Sequence, residues 1–162
     1  MMNNYDPFDD AINSYVPKLK VKKLYDNSIV PTRGSAKAAG VDLYAHLESD
    51  NIVIQPGETV MLGSGIACEF PEGYWGMVVP RSSIGIKRGL MLPNNCGVID
   101  EDYRGEIMIA FTNVGITNQT IENGERVAQM ILLPYVLHDI VETGELSDTE
   151  RGAGGIGSTG KN

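Results

Sequence analysis

The stretch Glu106-Ile107-Met108-Ile109-Ala110-Phe111-Thr112 carries the clearest signal of fold class in this chain. Its bulkiest apolar side chains recur at every second position. A period of two places Ile107, Ile109 and Phe111 on one face of an extended strand. The stretch therefore predicts a β-strand with one face in a core.

Short apolar segments with turn residues between them occur on both sides of that strand. Spacings of about 8–12 residues, marked by Gly, Pro and Asn, predict an all-β barrel or jelly roll. The one helical candidate is 82–88, with Ser82 or Ser83 as its N-cap. With so few helices many strand edges need cover, and oligomerisation is one way to supply it. The other predicted strands are 19–24, 41–45, 52–54, 59–66, 67–70, 74–79 and 127–136.

Composition limits the classes of function. The chain has 162 residues, a formal net charge of −8 and 42% hydrophobic residues, which suits one globular domain. The acidic balance argues against a nucleic acid partner. The sequence has no run of eighteen apolar residues, so we expect no membrane-spanning helix. Cys68 and Cys96 are expected to be reduced, and His46 and His138 are too scattered for a zinc site. The N-terminus lacks the basic residues of a leader, so we expect the cytoplasm, with the nucleus as the alternative.

Residues 151–160 contain five glycines, two hydroxyl side chains and Arg151. This composition cannot build a core, but its amides, hydroxyls and guanidinium suit a polyphosphate. A glycine-rich tail without a role is the alternative. The segment 152–157 fits G-x-G-x-x-G, yet no βαβ unit can follow it, and Ser158 replaces the lysine of a P-loop. We expect three parts: a mobile extension at 1–17, a β-barrel domain at 18–140 and a C-terminal arm at 141–162.

Four further segments carry polar groups at the ends of predicted strands. Residues 80–83 offer an arginine and two serines to a phosphate, or a plain N-cap. Residues 97–106 are expected to form a hairpin with an acidic tip, in which Asp100 is a candidate general base or a turn residue. Asp42 lies between apolar neighbours and needs a cation, a metal-bound water or an arginine. In 124–129, Gln129 could donate to phosphate or bond its own sheet.

Taken together, and in this order along the chain, these five segments resemble the five motifs of the trimeric dUTPase family. The matching stretches are 39–43, 80–83 with Lys87, 97–105, 124–129 and 151–160, so the resemblance covers roughly residues 18–160. It implies a distorted jelly-roll β-barrel, a homotrimer and three sites between subunits, one of them closed by each C-terminal arm. It also implies Mg²⁺-dependent hydrolysis of dUTP to dUMP and diphosphate, which keeps uracil out of DNA and supplies dUMP for thymidylate synthesis.

The resemblance also assigns roles to individual residues. Asp100 would be the general base for the water that attacks the α-phosphorus, and Tyr103 would exclude a 2′-hydroxyl. Asp42 would hold Mg²⁺ through water, while the ion itself is held mainly by the triphosphate. Arg126 and Lys87 are expected to be structural, and Arg81 would either contact the ligand or form an ion pair with an acidic neighbour. The substrate-binding residues would be Arg81, Ser82, Ser83, Asn94, Gly97, Val98, Ile99, Tyr103, Met108, Gln129, Arg151, Ile156, Gly157, Ser158 and Thr159.

Ile156 departs from the family pattern, which usually has an aromatic residue that stacks on uracil. Stacking on an aromatic ring is worth about 1–3 kcal/mol, so we expect either weaker closure of the arm here or another group that covers the base. Two other functions remain open. A dCTP deaminase would share the Arg-Ser-Ser segment but not Tyr103 and the complete arm, and a nucleotide-gated binding protein would not need Asp100.

Overall fold

A computed structural model describes residues 16–156, in which ten strands and one short helix follow one another. The predicted Asp-rich extension at 1–17 lies almost wholly outside the described residues, as do Gly157, Ser158 and Thr159. The strands are β1 Lys20–Lys23, β2 Gly40–Tyr44, β3 Asn51–Ile54, β4 Thr59–Glu69, β5 Tyr74–Pro80, β6 Leu90–Met91, β7 Gly97–Ile99, β8 Glu106–Asn113, β9 Gln119–Glu122 and β10 Arg126–Pro134.

Two antiparallel sheets of four strands and one ribbon of two strands make up the fold. The first sheet has the order β1-β4-β8-β6, the second β2-β10-β5-β7, and β3 pairs with β9. One continuous apolar core takes side chains from both sheets and the ribbon, including Phe111, Leu43 and Ile121. The molecule is therefore an all-β jelly roll, as the spacing of short strands predicted.

β8 confirms the strand expected from its alternating sequence. Ile107, Ile109 and Phe111 are buried, whereas Met108 faces outward. Its neighbour β4 was predicted as two strands but runs without a break from Thr59 to Glu69. The register of the β4–β8 pair shifts between Gly63 and Ala67, and this bulge explains why the pattern looked interrupted.

The predicted hairpin at 97–106 is wrong. β7 pairs with β5 in one sheet, whereas β8 pairs with β4 and β6 in the other. The acidic segment therefore connects the two sheets, because β7 belongs to the second sheet and β8 to the first. β6 and β9 were missed, since two and four residues give too little pattern to detect.

The predicted helix is present as a short π-type helix at Ser83–Lys87. Ser82 occupies the N-cap position, but its side chain makes no capping hydrogen bond. Cys68 and Cys96 are both free. A helix long and apolar enough to cross a membrane does not occur among residues 16–156.

Candidate active site

Asp42 is anchored by two arginines at one end of the second sheet. Its Oδ1 lies 3.1 Å from Arg81 Nε, and its Oδ2 lies 3.3 Å from Arg126 Nη1. The Asp42 side chain is only 10% exposed, so a buried carboxylate without these cations would be costly. Of the partners that the sequence allowed for Asp42, the structure therefore shows arginine, and Arg81 and Arg126 both form ion pairs.

Gln129 lies beside the same ion pairs. β10 places it opposite Asp42 on one side and Val79 on the other. Its amide Nε2 donates to the Pro80 carbonyl at 3.4 Å, which is the bond within the sheet that the sequence left open. Ser82 and Ser83, which directly follow Arg81 in the sequence, are exposed. This end of the sheet therefore presents two hydroxyls, an amide and two guanidiniums together.

The edge strand β7 forms a second polar surface. It pairs on one side only, with Gly97 opposite Val78 and Ile99 opposite Gly76. Its other edge thus has main-chain groups free of sheet pairing within the described residues. A tight turn precedes the strand, in which Asn95 has a φ of 63° and the Cys96 amide donates to the Asn94 carbonyl at 2.7 Å. Asn94 is exposed on this turn.

Asp100 and Tyr103 lie in the turn that leaves β7. The Tyr103 amide donates to the Asp100 carbonyl at 3.1 Å, and the Tyr103 hydroxyl donates to the Glu106 carbonyl at 3.0 Å. The ring passes so close to Gly105 that a Cβ there would lie 2.4 Å from the hydroxyl oxygen. The position of the Tyr103 ring thus requires glycine at position 105. Tyr103 is bonded to the start of the turn through its amide and to the end of the turn through its hydroxyl.

A cavity opens directly beside Asp100. It has a volume of about 450 Å³ and is lined by Trp75, Asp100, Glu101, Asp102 and Tyr135. Glu101 and Tyr135 were not identified from the sequence as site residues. Their contact joins positions 34 residues apart, so no local pattern could have indicated it.

A single chain does not bring the two polar surfaces together. Asp100 follows Ile99, which pairs with Gly76, so it lies at the start of β5, whereas Arg81 follows the end of β5. Trp75 and Arg81 are six positions apart on an extended strand, which corresponds to about 20 Å. Two surfaces at that distance cannot both contact one small ligand group within one copy of the chain.

The remaining candidates are also dispersed. Met108 lies on the outer face of the other sheet and is 43% exposed. Arg151 is exposed, and its Nε donates to the Gly154 carbonyl at 3.0 Å. Ile156 is fully exposed. Within residues 16–156 of one copy, none of these three side chains forms a hydrogen bond or an ion pair with Asp100 or Asp42.

The donor groups suit a metal ion that arrives with a ligand. Among residues 16–156, no cluster of three or more His, Cys, Asp or Glu side chains could hold an ion. Both carboxylate oxygens of Asp42 already face arginines, so a contact through water fits this residue better than direct coordination. Mg²⁺ keeps several of its waters and binds readily to phosphates, and that chemistry agrees with such a site.

Comparison with known proteins gives a consistent result. The dUTPase family model matches residues 26–160. The deoxyuridine 5'-triphosphate nucleotidohydrolase of Escherichia phage T5 is 46% identical over 85% of this chain and 96% of its own length. The enzyme of the same name from Hydrogenobaculum sp. is 44% identical over 88% and 98%. The dUTPase of Staphylococcus bacteriophage 80alpha, solved with dUpNHpp, has a TM-score of 0.80 at 27% identity and covers 88% of this chain and 98% of its own.

Proposed function

The chain belongs to the dUTPase family and hydrolyses dUTP to dUMP and diphosphate, and we propose that Asp100 is the general base of this reaction. The observation that carries the proposal is the place of Asp100 at the end of β7, beside the free main-chain edge of that strand. A nucleotide whose uracil ring bound along that edge would have its sugar and α-phosphate near the Asp100 carboxylate. Asp100 would then orient one water for attack on the α-phosphorus and take its proton.

The β7 edge supports recognition of uracil. Uracil offers an N3–H donor and an O4 acceptor, which the main chain of Gly97, Val98 and Ile99 and the amide of Asn94 could satisfy. Cytosine reverses both groups and would leave buried polar atoms unpaired, at a cost of about 1–3 kcal/mol for each one. Tyr103 supports discrimination at the sugar, because its ring is fixed over Gly105 and cannot withdraw easily from a 2′-hydroxyl.

The phosphate chain would lie at the other polar surface. Ser82, Ser83 and Gln129 supply hydrogen-bond donors there, and Arg81 supplies positive charge while it pairs with Asp42. Arg151, Gly157, Ser158 and Thr159 would reach the phosphates from the C-terminal arm. Members of this family generally depend on Mg²⁺, which would neutralise charge on the leaving diphosphate. Asp42 would contact the ion's waters.

A homotrimer would complete the site. Because Asp100 and the Arg81 surface lie at opposite ends of β5, they can meet around one nucleotide only if different copies supply them. Unburied apolar side chains support an assembly. Val136, Leu137 and Ile140 follow β10 and are 82–91% exposed, and Met61 and Met91 are at least half exposed on the outer face of the first sheet. Met108 shares that face and would reach a site through a partner copy.

A substitution at position 156 tests whether the isoleucine weakens closure of the C-terminal arm over the nucleotide. An isoleucine can cover a base but cannot stack on it as an aromatic ring does, so Ile156→Phe should tighten the complex with dUpNHpp. Stacking predicts a gain of about 1–3 kcal/mol, or roughly fivefold or more in affinity. Isothermal titration of parent and variant measures it, with Ile116→Phe, at an isoleucine that is 94% exposed, as a matched control. Equal affinities for parent and Ile156→Phe would contradict this role.

The reaction is tested by diphosphate release from dUTP, dCTP, dTTP and UTP, with Mg²⁺ and with EDTA. We expect release from dUTP alone, abolished by EDTA and lost in Asp100→Asn, which removes the base but keeps the side-chain volume. Ammonia release from dCTP would indicate a deaminase instead. Binding of dUTP without any release would favour a nucleotide-gated binding protein.

We also propose that the protein works in the cytoplasm. Its two free cysteines support a reducing compartment, and the nucleus is the alternative that shares this property. Localisation of a tagged full-length chain distinguishes the two.

A further inference from the structure

The residue that follows Asp100 is held by two other segments of the chain and by one residue of its own turn. Glu101 Oε2 accepts a hydrogen bond from the Gly73 amide at 2.7 Å and another from the Tyr135 hydroxyl at 2.9 Å. The Glu101 carbonyl accepts a third, from Arg104 Nη1 at 2.6 Å. Asp100 itself is exposed, and no hydrogen bond within residues 16–156 holds its carboxylate. The position of Asp100 therefore depends on its neighbour.

Glu101, Gly73 and Tyr135 form a closed set of hydrogen bonds, which we call the Glu101 triangle. Two sides are the bonds to Glu101 Oε2, and the third is the bond from the Tyr135 amide to the Gly73 carbonyl at 3.0 Å. A closed set fixes three segments relative to one another, because no member can move without breaking two bonds. Bonds to a carboxylate oxygen are stronger than bonds between neutral groups.

The triangle joins the catalytic turn to the start of the C-terminal segment. β10 ends at Pro134, and Tyr135 is the first residue after it. Beyond this point the apolar side chains are exposed, as Val136 and Leu137 show. The bond to Glu101 raises the pKa of Tyr135, so the hydroxyl remains a donor throughout the neutral range. The contact therefore joins the turn after β7 to the first residue after β10.

We propose that Glu101 is a positioning residue, which holds Asp100 in its productive orientation. Through Tyr135 it also couples Asp100 to the segment that follows β10 and leads to the C-terminal arm. The inference rests on the proposed function of Asp100. A general base works only within about 3 Å of the proton that it takes, so a small displacement of the turn should reduce turnover more than substrate binding. Glu101 itself need not touch the nucleotide.

The test compares Glu101→Ala, Glu101→Gln, Tyr135→Phe and the double variant Glu101→Ala/Tyr135→Phe, all in the full chain. We expect Glu101→Ala to lower kcat for dUTP about tenfold while KM changes less than about twofold. Glu101→Gln keeps an acceptor oxygen and should recover most of that loss. Since the two residues act through one contact, the double variant should be no slower than Glu101→Ala. Glu72→Ala, an exposed carboxylate in the same turn as Gly73, is the matched control.

Trp75 provides a second measurement that does not depend on catalysis. It is the chain's single tryptophan and lines the cavity with Asp100, Glu101 and Tyr135. Loosening of the Glu101 triangle should make Trp75 more accessible to acrylamide in Tyr135→Phe and Glu101→Ala, but not in Glu72→Ala.

The outcomes separate the two proposals. A parent protein that does not hydrolyse dUTP overturns the proposed function. An active parent whose Glu101→Ala and Tyr135→Phe variants keep full kcat overturns only the inference about Glu101. Additive losses in the double variant, or a loss confined to KM, would also overturn it, because they would show independent or substrate-binding roles.

Discussion

Asp42 is the residue whose environment differs most from that of an ordinary surface carboxylate. It is buried between strands, and each of its oxygens faces a different arginine. Coulomb attraction in this buried setting compensates for the lost hydration of the carboxylate. The ion pair with Arg81 positions that arginine directly before Ser82 and Ser83, so Asp42 anchors both the sheet and the candidate phosphate surface.

Replacement of Asp42 by asparagine should therefore lower stability. The arginines are partly exposed and can turn to water, so we expect a loss of about 1–3 kcal/mol in the free energy of unfolding. Urea denaturation at a fixed protein concentration measures it. Asp26→Asn, at an exposed carboxylate, serves as the control. An unchanged midpoint in Asp42→Asn would show that the ion pairs add nothing net.

Cys68 gives a prediction about pH. Burial raises the pKa of its thiol to about 11, above the ordinary value of about 8.5 for an unfolded chain. The native state therefore holds its proton longer, and stability should fall as pH rises above about 8.5. In Cys96→Ser, where Cys68 is the last thiol, native protein should resist DTNB at about pH 8 and react after denaturation. Reaction at the rate of an exposed thiol before denaturation would contradict this.

At the scale of elements, Asn113 at the end of β8 ties three segments together. Its Nδ2 donates to the carbonyls of Ile54 and Thr117 at 2.9 and 2.8 Å, and its Oδ1 accepts from the Gly115 amide at 3.0 Å. The residue is fully buried. Every polar atom of the side chain is satisfied, which is the condition for a buried amide to stabilise a fold.

Asn113→Asp should be strongly destabilising, because the carboxylate oxygen in the place of Nδ2 would face the carbonyls of Ile54 and Thr117 with no proton to donate. We expect a loss of about 2–4 kcal/mol in the free energy of unfolding. Asn118→Asp makes the same chemical change at an exposed position and should have little effect. Thermal unfolding of both variants decides the matter, and similar midpoints would remove Asn113 as a structural tie.

The elements that the sequence predicted are those with a local signal. β8 follows from its alternation, and the short helix at Ser83–Lys87 from its flanking residues. What it could not predict are long-range choices. Asp42 and Arg126 are 84 positions apart, and β7 selects β5 rather than the adjacent β8. The residue types of the site were therefore predictable, whereas the partners that orient them depend on the folded sheets.

At the scale of the whole molecule, the separation of Asp100 from Arg81 predicts sites shared between copies. Asp100→Asn and Gln129→Ala should each be inactive alone. If one copy supplies Asp100 and another supplies Gln129, co-refolding equal amounts of both variants should restore about a quarter of parental activity. The assembly should have about three times the chain mass of 17.6 kDa. A mixture as inactive as its components, at the same mass, would place both groups in one copy.

The free edge of β7 has a consequence for how such an enzyme can change over time. Under the proposed function the base is read by peptide groups of Gly97, Val98 and Ile99, and the Val98 side chain points to solvent. Every amino acid except proline carries the same peptide donor and acceptor. Substitutions at Val98 other than proline would thus leave the choice of base unaltered. Selectivity for uracil can therefore persist while the amino acid at this position changes.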